Sequence, residues 1–144
     1  LFFVDGPGGT GKSTLLRNIL AKVRLSGKIA IAVASSGIAS LLLMGGRTAH
    51  STFKISLKID GESTCNINKR SQVTELMRKA SLIVWDEAPM AHRHAFEAVD
   101  RTLRDVLDNE AEPFGGKVVV LSGDFRQILP VVKGGSATET TYAC

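Results

Sequence analysis

Two short stretches of this sequence carry residue types that could do chemistry on a phosphate. The first is Gly6-Pro7-Gly8-Gly9-Thr10-Gly11-Lys12-Ser13, followed by Thr14. Its glycines let the backbone adopt unusual dihedrals and turn successive N–H groups toward one point. A helix starting at Lys12 would aim its positive end at the same place. Lys12 is spaced to reach the β- and γ-phosphates of a nucleoside triphosphate, and the Ser13 hydroxyl to ligate Mg²⁺. Thr14 can add a hydroxyl near the α-phosphate. The alternative is a glycine turn that merely joins a strand to a helix. The full Gly-x-x-x-x-Gly-Lys-Ser pattern, set between a predicted strand and a predicted helix, argues against it.

The second stretch is Leu82-Ile83-Val84-Trp85-Asp86-Glu87, an apolar strand ending in two carboxylates. In a phosphate-loop fold the carboxyl ends of the strands face the nucleotide. Asp86 can there hold Mg²⁺ through a bound water, and Glu87 can orient or deprotonate an attacking water. Two adjacent carboxylates with separate tasks point to a hydrolase. The plain alternative is a solvated Asp-Glu pair opening a loop, and the phosphate loop upstream weighs against it.

These residues need elements to hold them. Leu1 to Asp5 reads as a buried strand. Lys12 to Arg24 reads as a helix with Leu15, Leu16, Ile19, Leu20 and Val23 on one face, ended by Gly27. Ile29 to Ala34 is a second strand, and Ser36 to Met44 a short helix closed by Gly45-Gly46. Arg47 to Asn68 reads as irregular and polar, and Ser71 to Lys79 as helical. Leu82 to Trp85 is a third strand. His94 to Leu107 is an amphipathic helix that turns Phe96, Val99, Leu103, Val106 and Leu107 inward. Pro113 and Gly115-Gly116 break the chain before a fourth strand at Val118 to Ser122. Ser136 to Cys144 shows no clear closing element. Continuous apolar strands mark a parallel sheet covered on both faces. Their alternation with helices predicts an α/β, three-layer phosphate-loop domain with a mainly parallel sheet.

The 144 residues fit one domain, and 44% hydrophobic residues supply its core. The 22% charged content excludes a disordered chain. Eighteen basic residues against 14 acidic ones give +4, which suits a nucleic-acid or nucleotide partner. Cys65, in a polar loop, and Cys144 form no Cys-x-x-Cys pair, so no zinc site is expected and a reducing compartment suits. No apolar run approaches the roughly 20 residues that cross a bilayer. Leu1-Phe2-Phe3-Val4 lacks the basic start of a signal peptide. A strand that begins at the first residue is expected of a piece of a longer protein.

Two further stretches complete a pattern. Ala34-Ser35-Ser36-Gly37-Ile38-Ala39-Ser40 is followed by Gly45-Gly46-Arg47-Thr48-Ala49-His50-Ser51. Ser122-Gly123-Asp124-Phe125-Arg126-Gln127-Ile128-Leu129-Pro130-Val131 closes the series. With the phosphate loop and the Asp-Glu box, four motifs in order over nearly the whole chain resemble superfamily-one DNA helicases of the Pif type, including those of Helitron transposons. The resemblance implies the RecA-like first motor domain of such a helicase, with ATP and Mg²⁺ as cofactors and single-stranded DNA as partner. It implies that Lys12, Glu87 and Gln127 are catalytic, Gln127 contacting the γ-phosphate and reporting nucleotide state to the DNA groove. Ser35, Ser36 and Gly37 would hold DNA phosphates. Thr48, His50 and Phe53 would lie along the DNA, with His50 or Phe53 available to stack on a base. Asp124 and Pro130 would belong to the third motif's structural turn. The family moves 5′ to 3′ and acts in repair, recombination and telomere maintenance, which implies a nuclear protein, with mitochondrial members.

The match has departures. Thr52 stands where the family often has Phe, and Ile128-Leu129-Pro130 replaces a common Leu-Pro-Pro. Both variants look like the Helitron-type branch. The second motor domain with its arginine fingers and the upstream glutamine motif are absent from this sequence. Such an arginine contributes about 10³ to 10⁵ in rate, so this chain is expected to bind ATP better than it hydrolyses it, and not to unwind DNA. Two rival readings are a phosphate-loop ATPase of another kind and a truncated remnant that binds nucleotide at most.

Weaker features have plainer readings. His92 and His94 lack a third metal ligand, and Trp85 reads as core. Arg126 is either a sensor or a surface arginine. Arg101, Arg104, Asp105 and Asp108 read as a solvated helix face. Lys54, Lys58, Lys69 and Arg70 make the middle region basic, either to track DNA phosphates or as an ordinary exposed loop.

Overall fold

A computed structural model describes residues 1–127, 130, 132 and 136–143. Its centre is a five-stranded sheet in the order β1-β5-β4-β2-β3. The strands are β1 (Phe2–Asp5), β2 (Ile29–Ala34), β3 (Arg47–Thr48), β4 (Ala80–Asp86) and β5 (Val118–Gly123), and every pairing is parallel. The helices are α1 (Lys12–Leu25), α2 (Gly37–Leu42), α3 (Ala49–Phe53), α4 (Gln72–Lys79), α5 (Arg93–Val106) and α6 (Ala137–Ala143).

Strand side chains alternate between faces, and here both faces are apolar. Ala30 and Ala32 of β2, Leu82 and Val84 of β4 and Val120 of β5 pack with Leu16 and Leu20 of α1. The intervening Ile31, Val33, Ile83, Trp85 and Val119 pack on the opposite face with α3, Met77 of α4 and the inner side of α5. The result is the three-layer α/β arrangement expected from the strand pattern.

Local chemistry sets the helix ends. Gly11 caps α1 in the left-handed region at φ 87°, and Lys22 and Arg24 in the last turn complement the helix dipole. The Ser36, Thr48 and Ser71 hydroxyls each accept a backbone N–H at the start of α2, α3 and α4.

Several expectations need correction. β1 is an edge strand, with Phe2 64% exposed, because β5 is its one partner among the described residues. Leu15 is 46% exposed, so the buried stripe of α1 is narrower than the pattern implied. The stretch read as irregular after Arg47 contains β3 and α3. Ala49 and Phe53, four residues apart, give α3 its buried face. Residues 137–143 form a helix where no closing element was read.

Cys65 lies in a loop as read and is buried there, its N–H donating to Thr102 Oγ1 at 2.8 Å, and burial pushes its thiol up from the usual range. The outer face of α5 is bonded, not merely solvated. Arg101 donates twice to Ser63 O (2.7 and 3.1 Å), Arg104 pairs with Asp100, and Asp105 and Asp108 pair with Lys69. Ile128, Leu129, Val131 and Cys144 lie outside the described residues.

Candidate functional site

The phosphate loop leaves the carboxyl end of β1. Gly6 N–H donates to Gly123 O at 3.3 Å, tying the loop's first residue to the end of β5. Gly9 joins Gly11 at positive φ (79°), the backbone freedom that a loop of inward-turned amides needs. Thr10 Oγ1 donates to Pro7 O at 2.7 Å across the loop. Lys12 Nζ donates to Gly6 O and to Pro7 O, the latter at 3.0 Å, which holds the ammonium over the loop. Lys12 and Ser13 are half-buried at the start of α1, while Pro7, Gly8 and Thr14 are exposed.

Gln127 comes to the loop from the other side. A Cβ added to Gly8 would stand 3.4 Å from Gln127 Nε2. The turn that delivers it is built on buried Asp124, whose Oδ1 accepts Arg126 N–H (2.9 Å) and whose carbonyl accepts Gln127 N–H (3.1 Å). Gly123 is required by close approach, since a Cβ there would overlap the Pro89 ring. The third motif thus packs directly on the Asp-Glu loop.

Asp86 ends β4 and is 3% exposed, its Oδ1 accepting the Glu87 N–H at 2.9 Å. Glu87 holds a left-handed backbone (φ 53°, ψ 40°), a conformation found at functional sites more often than elsewhere. Its carbonyl accepts Met90 N–H (3.1 Å) in the following 3₁₀ turn, Ala88–Met90. Partial burial raises the Glu87 carboxyl above the usual range, the charges of Asp86 and Asp124 raise it further, and Lys12 opposes them. Three chain segments therefore share one electrostatic neighbourhood. A carboxylate more basic than a free one is suited to take a proton from water.

The donor set can be tested for Mg²⁺. The Ser13 hydroxyl, in the first turn of α1, and the Asp86 carboxylate, at the end of β4, are hard oxygen donors. No group of three or more His, Cys, Asp or Glu side chains that could hold a metal occurs among the described residues. Few protein oxygens suit a cation that keeps waters and binds largely through substrate phosphates, so the residues fit Mg²⁺ that comes with its nucleotide.

The residues expected along DNA divide. Ser35 Oγ accepts Trp85 Nε1–H at 2.9 Å, and the Ser36 and Thr48 hydroxyls cap their helices at 3.2 Å. Each oxygen is accepting, which leaves its own proton to donate. Gly37 is exposed at the start of α2. His50 lines an open pocket of about 550 Å³ whose other walls include Leu57, Lys58, Asp60 and His92.

Phe53 is the correction. It is 1% exposed and its ring stacks on Trp85 at 5.8 Å, so it belongs to the core and is closed to a base. Trp85 is core as read, meeting Phe96 at 4.4 Å. His92 is a helix cap, its Nδ1 accepting His94 N–H at 3.2 Å. Of the basic middle residues, Lys69 is engaged with Asp105 and Asp108, while Lys58 stays at the His50 pocket. Sequence reasoning missed that His50 and His92 share a pocket. No local spacing signals it, because they come from separate strand ends.

The family model described as PIF1-like helicase matches residues 1–144. The ATP-dependent DNA helicase PIF7 of Trypanosoma brucei brucei is 36% identical over 143 residues, covering 96% of this chain and 14% of the relative. The ATP-dependent DNA helicase PIF1 of Xenopus laevis is 34% identical over 141 residues, covering 97% and 22%. The crystal structure of Bacteroides Pif1 bound to ssDNA superposes with a TM-score of 0.81 at 39% identity, over 92% of this chain and 30% of that one. The Bacteroides helicase in complex with ADP-AlF3 and ssDNA gives 0.82 at 36%, over 97% and 32%. The chain thus spans less than a third of the length of each of these relatives.

Proposed function

Because the chain belongs to the PIF1-like helicase family, we propose that it is the first, ATP-binding motor domain of an ATP-dependent DNA helicase. The carrying observation is convergence. Lys12, the Asp86-Glu87 pair and Gln127 come from three separate segments and meet at the carboxyl ends of β1, β4 and β5. In this reading the loop Gly6 to Thr14 cradles the phosphates with its backbone N–H groups from Gly8 onward, and Lys12 exchanges the loop carbonyls for the β- and γ-phosphates. Ser13 and Asp86 hold Mg²⁺, which when bound neutralises phosphate charge. Glu87 takes the proton of the attacking water, and Gln127 stands where it can read the terminal phosphate.

Single-stranded DNA is the proposed polymer partner, along Ser35, Ser36, Gly37, Thr48 and His50. A short physical link favours coupling. Ser35 donates its N–H to Asp86 O (3.1 Å) and accepts from Trp85, so the DNA motif is bonded to the strand end that carries the Asp-Glu pair. A second motor domain in the same parent protein would supply the transition-state arginine, and alternate closure of the two would drive movement. Translocation 5′ to 3′, service in repair, recombination or telomere maintenance, and nuclear residence belong to the same proposal.

The test is a titration with a fluorescent ATP analogue and Mg²⁺, with and without a single-stranded oligonucleotide, using Lys12→Ala as the control. Binding that Lys12→Ala abolishes and the oligonucleotide strengthens supports the motor domain. Binding indifferent to DNA would point to another phosphate-loop ATPase.

A further inference from the structure

β5 carries one polar side chain into the sheet, Ser122. It is 0% exposed, and its hydroxyl has no hydrogen-bond partner among the described residues. A buried hydroxyl without a partner is costly and rare, and it points to a partner met in another state of the molecule.

The register shows which partner is at hand. Val84 of β4 and Val120 of β5 are paired and both face α1. Two residues further along each strand, Asp86 and Ser122 face the same side. The β4–β5 ladder ends at Trp85↔Leu121, and continued by one residue it sets Asp86 opposite Ser122. On its other flank Ser122 pairs with Val4 of β1, just before the phosphate loop. Ser122 therefore sits between the strand that feeds the loop and the strand that carries Asp86, on the face where α1 begins. Asp86 uses Oδ1 to accept the Glu87 N–H, and Oδ2 takes no part in that bond.

We propose that Ser122 is a positioning residue for Asp86: its hydroxyl donates to the Asp86 carboxylate in the Mg²⁺-nucleotide state and fixes the carboxylate's rotation. This rests on the reading of Asp86 as the cation carboxylate. Carboxylates that serve a metal are commonly held by such outer hydrogen bonds, and losing one weakens metal affinity by about 10- to 100-fold. Removing the hydroxyl should not destabilise the ligand-free protein, because it has no hydrogen-bond partner among the described residues.

The experiment compares wild type, Ser122→Ala and Ser122→Cys. Three quantities are read: the Mg²⁺ concentration that half-saturates binding of a fluorescent ADP analogue, the affinity for that analogue in EDTA, and the ligand-free thermal midpoint. The expected result for Ser122→Ala is a half-saturating Mg²⁺ concentration raised about ten-fold or more. Its metal-free nucleotide affinity should stay near wild type, and its midpoint should be equal or higher. Ser122→Cys, with its weak donor, should fall between the two. Unchanged Mg²⁺ dependence in Ser122→Ala overturns the proposal. So does a lowered midpoint with metal-free and metal-dependent affinity falling in parallel, since that is a structural hydroxyl. Wild type that binds nucleotide without regard to Mg²⁺ overturns the Asp86 reading itself, and this inference with it.

Discussion

At the scale of single residues, the site separates side chains that hold the nucleotide from side chains that act on it. Glu87 is the clearest of the second kind. It is half-buried, forced into a left-handed backbone and more basic than a free carboxylate. Glu87→Gln keeps the shape and removes the base. Turnover should fall about 10²- to 10⁴-fold while nucleotide affinity stays within a few-fold, which single-turnover hydrolysis and analogue binding would show. Phe53 makes the opposite case. The family resemblance implied a base-stacking ring, yet its contacts are Trp85 and the core. Phe53→Ala should cost about 3–5 kcal/mol of stability in urea unfolding. The DNA affinity of the molecules that remain folded should not change. A selective loss of DNA binding with normal stability would return Phe53 to the DNA face.

At the scale of elements, α5 links the Asp-Glu loop to the outer layer, and its first turn depends on an imidazole. The His92 cap works only while Nδ1 is unprotonated, because it accepts the His94 N–H. Burial lowers the His92 pKa from its ordinary 6.5, the neighbouring charges of His94 and Arg93 lower it further, and Glu97 opposes them. The folded chain then binds fewer protons at this site than the unfolded chain. The contribution is fully present above the ordinary value of 6.5 and is lost as pH falls through the lowered folded value. Thermal melts between about pH 8 and pH 5 should show this loss, and His92→Ser, a cap that does not titrate here, should flatten that part of the curve. An unchanged slope in His92→Ser would assign the acid sensitivity elsewhere.

At the scale of the whole molecule, the exposed edge stands out. Among the described residues, β1 has no strand partner along its outer side and exposes Phe2 and Phe3, and the Phe3 ring stacks on Phe125 at 5.0 Å. An apolar sheet edge of this kind is a template for pairing with another strand. The purified chain should therefore self-associate with rising concentration, and Phe2→Lys should reduce that association in sedimentation velocity while leaving nucleotide binding intact. Equal association in the variant would show that the edge is not responsible.

Much of this was readable without coordinates. The phosphate loop and the Asp-Glu pair each combine a particular residue type with a particular spacing, while Gln127 was named only by the family resemblance. Local spacing decides local backbone, as Gly11 and Lys12 do at the start of α1. The apolar runs of β2, β4 and β5 announced a sheet buried on both faces, because burial on both sides removes the polar alternation. Tertiary packing alone decided the rest. Strand order left β1 at the edge, although its residues are as apolar as those of the central strands. The path of the chain after Arg47 turned Phe53 inward and buried Cys65. Strand register paired Trp85 with Leu121 and so directed Asp86 and Ser122, far apart in sequence, toward the same end of the sheet. Local patterns report which face of an element is apolar, but which elements become neighbours is settled only when the layers close on one another.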